Sequence, residues 1–297
     1  MSHFLLHKNK FVLPRAQEGK DEGTHIFLCR QLCFLGNELE TAAKAYKAGD
    51  YQKAFKHFKI ACDDEGYQGC TYLGILYANG QGVEQNYTEA FKYFKIACDN
   101  GEYQGCHNLG FLYESGKGVR QSYTEAFKYY KLVYDSGQCR SCTNLGFLYE
   151  SGQGVRQNYK EASKYYKLAC DNRDYQGCHN LGVLYESGQG VEQNYTEAFK
   201  YYKLVCDSGN YLDCNNLGLL YMNGQGVRQN YTEAFKYFKI ACDYKEFSGC
   251  ANLGFLYESG KGVRQSYSMA KEYYSKACDL GSQQGCREFA TLNKYGY

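Results

Sequence analysis

Sixteen cysteines stand in a chain of 297 residues, and their spacing limits the chemistry they can do. One series, Cys70, Cys106, Cys142, Cys178, Cys214, Cys250 and Cys286, recurs every 36 residues. A second, Cys62, Cys98, Cys170, Cys206, Cys242 and Cys278, precedes it by eight residues and is broken only by Tyr134. If the earlier cysteine ends one helix and the later one opens the next, antiparallel helix, the two come together. The pairs Cys62 with Cys70, Cys98 with Cys106, Cys170 with Cys178, Cys206 with Cys214, Cys242 with Cys250 and Cys278 with Cys286 are then expected as disulfides. Each closes a loop of about nine residues, worth on the order of 2 to 3 kcal/mol in the chain-entropy account. Structural zinc is the competing use, but it asks for four ligands in compact clusters, and these pairs are spread evenly along the chain. Neither metal nor cofactor is expected. Cys142 lacks its partner, yet Cys139-Arg140-Ser141-Cys142 is a CxxC, either a thiol-exchange site or, the preferred reading, a local disulfide compensating for Tyr134. Cys29 and Cys33 remain unassigned: free, bonded to each other, or intermolecular.

Other catalytic chemistry is sparse. The six histidines, at positions 3, 7, 25, 57, 107 and 179, show neither metal nor triad spacing. One SxxK occurs, Ser268-Met269-Ala270-Lys271, the pattern that sets a serine nucleophile beside a lysine in penicillin-recognising enzymes. No Lys-Thr-Gly accompanies it, and it fills a position held elsewhere by Thr-Glu-Ala-Phe, so Ser268 and Lys271 are only weak catalytic candidates. Asn86 and Asn194 sit in Asn-x-Thr acceptor patterns, although a helix-capping role accounts for both.

These residues are carried by a period that composition explains. Net charge is +2, with basic and acidic residues interleaved, so there is no basic stripe for nucleic acid. No apolar run has the length of a membrane span. Tryptophan is absent, but 33 Tyr and 17 Phe give small helical units enough apolar surface to bury. Paired cysteines at constant spacing place the protein in an oxidising compartment, secreted or periplasmic. No clear secretory signal opens the chain: Lys8, Lys10, Arg15, Glu18, Lys20, Asp21 and Glu22 interrupt each apolar patch.

Residues 103–138 illustrate the unit. Cys106, Leu109, Leu112 and Tyr113 fall at helical spacing and define a first helix, A, in which Gly110 points to close helix contact. Ser115 to Gln121 reads as a loop with two glycines. Ser122-Tyr123-Thr124-Glu125 then opens helix B as a capping box, and Ala126, Phe127, Tyr130 and Leu132 carry its apolar face. The expected organisation is an irregular segment over 1–30, then a solenoid over 31–297 with repeats at 31–66, 67–102, 103–138, 139–174, 175–210, 211–246 and 247–282 and a cap at 283–297.

If helix A lines the inner face, three columns point into a groove. They are Thr71, His107, Thr143, His179, Asn215 and Ala251; Ile75, Phe111, Phe147, Val183, Leu219 and Phe255; and Ala78, Glu114, Glu150, Glu186, Met222 and Glu258. An apolar strip edged by carboxylates suits an extended peptide with hydrophobic and basic side chains; packing between neighbouring helices is the equal alternative. An asparagine ladder, Asn108, Asn144, Asn180, Asn216 and Asn252, is expected to satisfy polar groups between repeats.

The run from Gly177 to Tyr195, Gly-Cys-x-Asn-Leu-Gly-x-Leu-Tyr-Glu-x-Gly-x-Gly-Val-x-Gln-Asn-Tyr, resembles the Sel1-like repeat. With Ala-Cys-Asp and cysteines eight residues apart, the chain is similar to the Helicobacter cysteine-rich proteins. The resemblance implies an all-α, right-handed α/α superhelix with hairpin disulfides, secretion or periplasmic residence, and exposure to the host. It also implies binding of penicillin-type ligands with slow β-lactam hydrolysis. The residues themselves favour a monomeric scaffold for a protein or peptide ligand, host protein included; a weak β-lactam hydrolase, taking β-lactams or cell-wall fragments, is the alternative. The cysteines at 29 and 33, the exchange at Tyr134 and Cys139, and the missing signal depart from that pattern.

Overall fold

The computed structural model describes residues 22–209 and 211–296, with side chains from residue 35. The expectation for residues 1–21 and the pairing of Cys29 and Cys33 lie outside what is described. Among the described residues the regular structure is wholly helical. Each unit pairs a helix A with a helix B: α1 (Glu22–Lys47) with α2 (Tyr51–Asp63), α3 (Tyr67–Asn79) with α4 (Tyr87–Asp99), and α5 (Tyr103–Ser115) with α6 (Tyr123–Asp135). A 3-10 turn (Cys139–Ser141) leads into α7 (Cys142–Ser151), which pairs with α8 (Tyr159–Asp171). The series continues with α9 (Tyr175–Ser187) and α10 (Tyr195–Asp207), α11 (Leu212–Asn223) and α12 (Tyr231–Asp243), and α13 (Phe247–Ser259) and α14 (Tyr267–Asp279). Helix α15 (Gln283–Lys294) closes the stack. Each helix packs chiefly on its neighbours in the chain, as a solenoid requires. Residues 22–30, expected to be irregular, belong to α1; leucine, arginine and glutamine between Leu28 and Leu35 favour helix.

The helix B caps follow half of the capping-box expectation. Asn86 Oδ1 accepts from the amides of Thr88 and Glu89 at 3.0 Å, and Ser122 Oγ from Glu125 at 3.3 Å. The glutamate does not reach back. The cap residue's own amide is already donated to helix A, from Ser122 to the Tyr113 carbonyl at 2.9 Å, so Glu125 pairs instead with Lys128 at 2.5 Å. That cross-helix bond recurs from Asn86 to Tyr77, Asn158 to Tyr149, Asn194 to Tyr185 and Asn230 to Tyr221. It fixes where each helix B starts relative to its helix A.

In the core, helix B buries Ala126, Tyr130 and Val133, an i, i+4, i+7 stripe that sits between two helices A: Val133 clusters with Leu109 and Leu112, and Ala126 and Tyr130 with Leu145 and Leu148 of the following unit. Leu132, expected on that face, is exposed, and Val133 takes the place. Gly110 has the close contact expected of it: a Cβ there would lie 2.5 Å from the Tyr130 ring. In the loop, Gly118 adopts φ +70°, and a Cβ would meet the Tyr87 carbonyl carbon at 2.4 Å, so the loop of one unit rests on the helix B start of the unit before. Six disulfides, Cys62–Cys70, Cys98–Cys106, Cys170–Cys178, Cys206–Cys214, Cys242–Cys250 and Cys278–Cys286, tie each helix B to the next helix A with Cα separations from 4.5 to 5.0 Å. The seventh, Cys139–Cys142, lies within the 3-10 turn and the start of α7.

Candidate functional site

The middle column of helix A is where apolar side chains meet water. Phe111, Phe147 and Phe255 are 47%, 44% and 39% exposed, far above the buried leucines beside them. Ile75, Val183 and Leu219, shorter side chains in the same column, are only partly exposed and pack onto the core clusters of adjoining units. Two cations flank the phenyls: Lys117 Nζ lies 5.6 Å from the Phe111 ring centre, and Lys261 Nζ lies 5.3 Å from that of Phe255. At the N-terminal end a hollow lined by Leu39, Ala43, Phe58 and Tyr72 opens between α1 and α3.

The carboxylate column is not an open rim. The hydroxyls of Tyr130, Tyr166 and Tyr202 donate to Glu114, Glu150 and Glu186 at 2.5 Å, and that of Tyr274 donates to Glu258 at 2.7 Å. Burial, and then the bond to glutamate, push all four tyrosine pKa values well above the usual phenol value. The column holds Ala78 and Met222 in the other two units, and sixteen residues on stand Phe94 and Phe238 in place of tyrosine. A buried hydroxyl without an acceptor costs about 1 to 3 kcal/mol, so the hydroxyl is present where the carboxylate is. This pairing is written in the sequence at a fixed spacing, but reading each column singly does not reveal it.

The first column is also internal. His107 Nδ1 lies 2.9 Å from Ser141 Oγ in the next unit, and His179 Nδ1 lies 2.6 Å from Oδ1 of the buried Asp213. Ser141 and Asp213 occupy the position held by Gly69, Gly105, Gly177, Gly249 and Gly285, so each departure from glycine faces a histidine one unit earlier. Burial, with a smaller contribution from Arg140, lowers the His107 pKa to about 4. The hydrogen bond to Asp213 raises that of His179. Two of the asparagines bridge units, Asn144 donating to Glu114 at 3.4 Å and Asn252 to Asn215 at 2.8 Å, whereas Asn180 accepts from Gln176 and Asn216 donates to Asp213 within their own helices. Asn108, whose counterpart of Glu114 is Ala78, keeps a buried amide nitrogen without a partner.

Ser268 stands exposed in the first turn of α14, its hydroxyl 3.5 Å from that of Ser266, while Lys271 Nζ lies 6.0 Å from the Phe289 ring centre. Among the described residues no cluster of His, Cys, Asp and Glu could hold a metal ion, and no helix is long and apolar enough to cross a membrane.

The family model described as Sel1 repeat matches residues 33–65, 68–102, 104–137, 139–174, 176–210, 213–243 and 248–282. A stretch of 59 residues is 49% identical to the Helicobacter pylori protein named "Putative beta-lactamase HcpE", covering 20% of this chain and 16% of that protein. Among solved structures, c5321, described as a protective antigen present in uropathogenic Escherichia coli strains displaying an SLR fold, superposes with a TM-score of 0.82 at 28% identity, over 92% of this chain and 60% of that one. A Sel1 repeat protein from Oxalobacter formigenes superposes at 0.72 with 24% identity, over 81% of this chain and 96% of that one.

Proposed function

We propose that this chain, which belongs to the Sel1 repeat family, serves outside the reducing cytosol, secreted or periplasmic, as a monomeric disulfide-stapled scaffold that holds a protein or peptide partner along its helix A face. The observation that carries the reading is the row of exposed phenyl rings, Phe111, Phe147 and Phe255. Nothing in the packing of the units needs them in water, and aromatic groups rimmed by polar ones are what protein interfaces use as anchors. Seven disulfides support residence in a non-reducing compartment.

The geometry changes the partner that suits the face. The glutamates already accept tyrosine hydroxyls, whereas Lys117 and Lys261 stand beside the phenyls. An extended peptide with apolar side chains and acidic neighbours therefore fits better than a basic one. A host protein with such a segment falls within this class. Panning a displayed random-peptide library on the oxidised chain tests the reading. Apolar, acidic peptides should emerge, and Phe111→Ser, Phe147→Ser and Phe255→Ser combined should fail to compete for them. Peptides retained equally by that variant would place binding elsewhere.

A further inference from the structure

Six of the disulfides join two helices; Cys139–Cys142 does not. Cys139 opens the 3-10 turn and Cys142 opens α7, three residues on, so the bond spans one short segment. No disulfide joins α6 to α7. Tyr134 stands where α6 would carry its cysteine; its ring meets that of Tyr165 in α8 edge-on, 5.1 Å between centres, and it packs on the core cluster that also takes in Cys139 and Cys142. Opening Cys139–Cys142 therefore unties no helix B from the helix A that follows it. Access differs too. The leading cysteines Cys62, Cys98, Cys170, Cys206 and Cys242 are buried, whereas Cys139 is partly exposed and its partner Cys142 fully buried; in the last hairpin bond Cys278 and Cys286 are both partly exposed, so only Cys139–Cys142 sets an accessible sulfur against a fully buried one. The exposed Arg140 lies directly beside Cys139, and Ser141 is held by His107 from the preceding unit.

We propose that Cys139–Cys142 is a thiol–disulfide exchange site whose substrate is a peptide or protein dithiol. The asymmetry sets the order of events. A substrate thiolate attacks Cys139 Sγ, the accessible sulfur; the bond to Cys142 breaks, and Cys142 leaves as a thiolate at the start of α7, where helix amides favour the anion. The substrate's second thiolate then attacks its own sulfur in the mixed disulfide and releases Cys139. The substrate gains a disulfide and loses two electrons, the protein becomes a dithiol, and the two substrate protons pass to Cys139, Cys142 or solvent. A second disulfide, such as oxidised glutathione, restores the site. The activity is independent of the phenyl row.

The test uses the full oxidised chain carrying Cys29→Ser and Cys33→Ser, so that those two positions are silent. In glutathione buffers of graded poise, differential alkylation and mass mapping should show Cys139–Cys142 opening at a more oxidising poise than the other six, with helicity unchanged. Opening together with the others, or with loss of helix, overturns the proposal. With a two-cysteine peptide as probe and oxidised glutathione as oxidant, disulfide formation should run at least about tenfold faster than with Cys139→Ser/Cys142→Ser. Equal rates overturn it, and the alkylation map decides on the native pair if that variant fails to fold.

Discussion

Glu150 and Tyr166 offer the sharpest test of how the units are held together. The Tyr166 ring is fully buried, and its hydroxyl donates to Glu150 Oε2 at 2.5 Å, a bond across the helix pair. Replacing Glu150 by Ala leaves that hydroxyl buried without its acceptor and should cost about 2 kcal/mol; Tyr166→Phe removes the donor, leaves a half-exposed carboxylate that water can reach, and should cost about 1.5 kcal/mol. The double variant recreates the combination this chain already uses at Ala78 with Phe94. It should cost about 1.5 to 2 kcal/mol rather than the sum of the single changes, a coupling of about 1.5 to 2 kcal/mol. Urea unfolding of the oxidised proteins, followed by far-UV circular dichroism, reads these differences as midpoint shifts at common slope. A double variant as unstable as the two single changes added together would refute the pairing as the reason for the alternation of Tyr and Phe.

The two column histidines should respond to pH in opposite directions. His179, its pKa raised by Asp213, contributes stability that is complete below the unfolded value near 6.5 and lost as pH rises through its folded value, so Asp213→Asn should flatten melting temperature as pH rises above about 6.5. His107, depressed to about 4 by burial, contributes stability that is present above about 6.5 and lost, by up to about 3 kcal/mol, as pH falls towards 4; His107→Asn should flatten that acid limb. Gly110→Ala should destabilise by about 1 to 2 kcal/mol, because the Tyr130 ring stands in the way, whereas Gly36→Ala in α1 has open space and should stabilise by up to about 1 kcal/mol; thermal melts distinguish the signs. Hydrolysis of a chromogenic cephalosporin should remain at buffer level and be unaffected by Ser268→Ala, since that hydroxyl is exposed on a helix beside Ser266; saturable turnover lost in the variant would contradict this.

The repeat period, the helix alternation and the six cysteine pairs eight residues apart are legible in the sequence because they are set by backbone spacing, which a unit repeated seven times displays openly. Features set by contacts between columns are not read so directly. Adjacent apolar residues such as Leu132 and Val133 cannot be ranked by type; only the phase of Ala126 and Tyr130 decides which is buried. The glutamates read as a binding rim because their tyrosine partners lie sixteen residues away on another helix. The histidines read as groove residues because their partners, Ser141 and Asp213, register only as departures from glycine in the following unit. In each case comparing the units position by position, two columns at a time, exposes the pairing. The phenyl row was visible in the column that holds it, but its exposure relative to Val183 and Leu219 required the packing.

Partner binding by the helix A phenyls is open to direct measurement. Isothermal titration calorimetry of one library-selected peptide against the native oxidised chain and the combined Phe111→Ser, Phe147→Ser and Phe255→Ser variant tests it most directly. A negative heat-capacity change is expected for the native chain, with at least about a tenfold rise in Kd, equal to about 1.4 kcal/mol, for a variant with unaltered helicity. Unchanged affinity in a folded variant would contradict it.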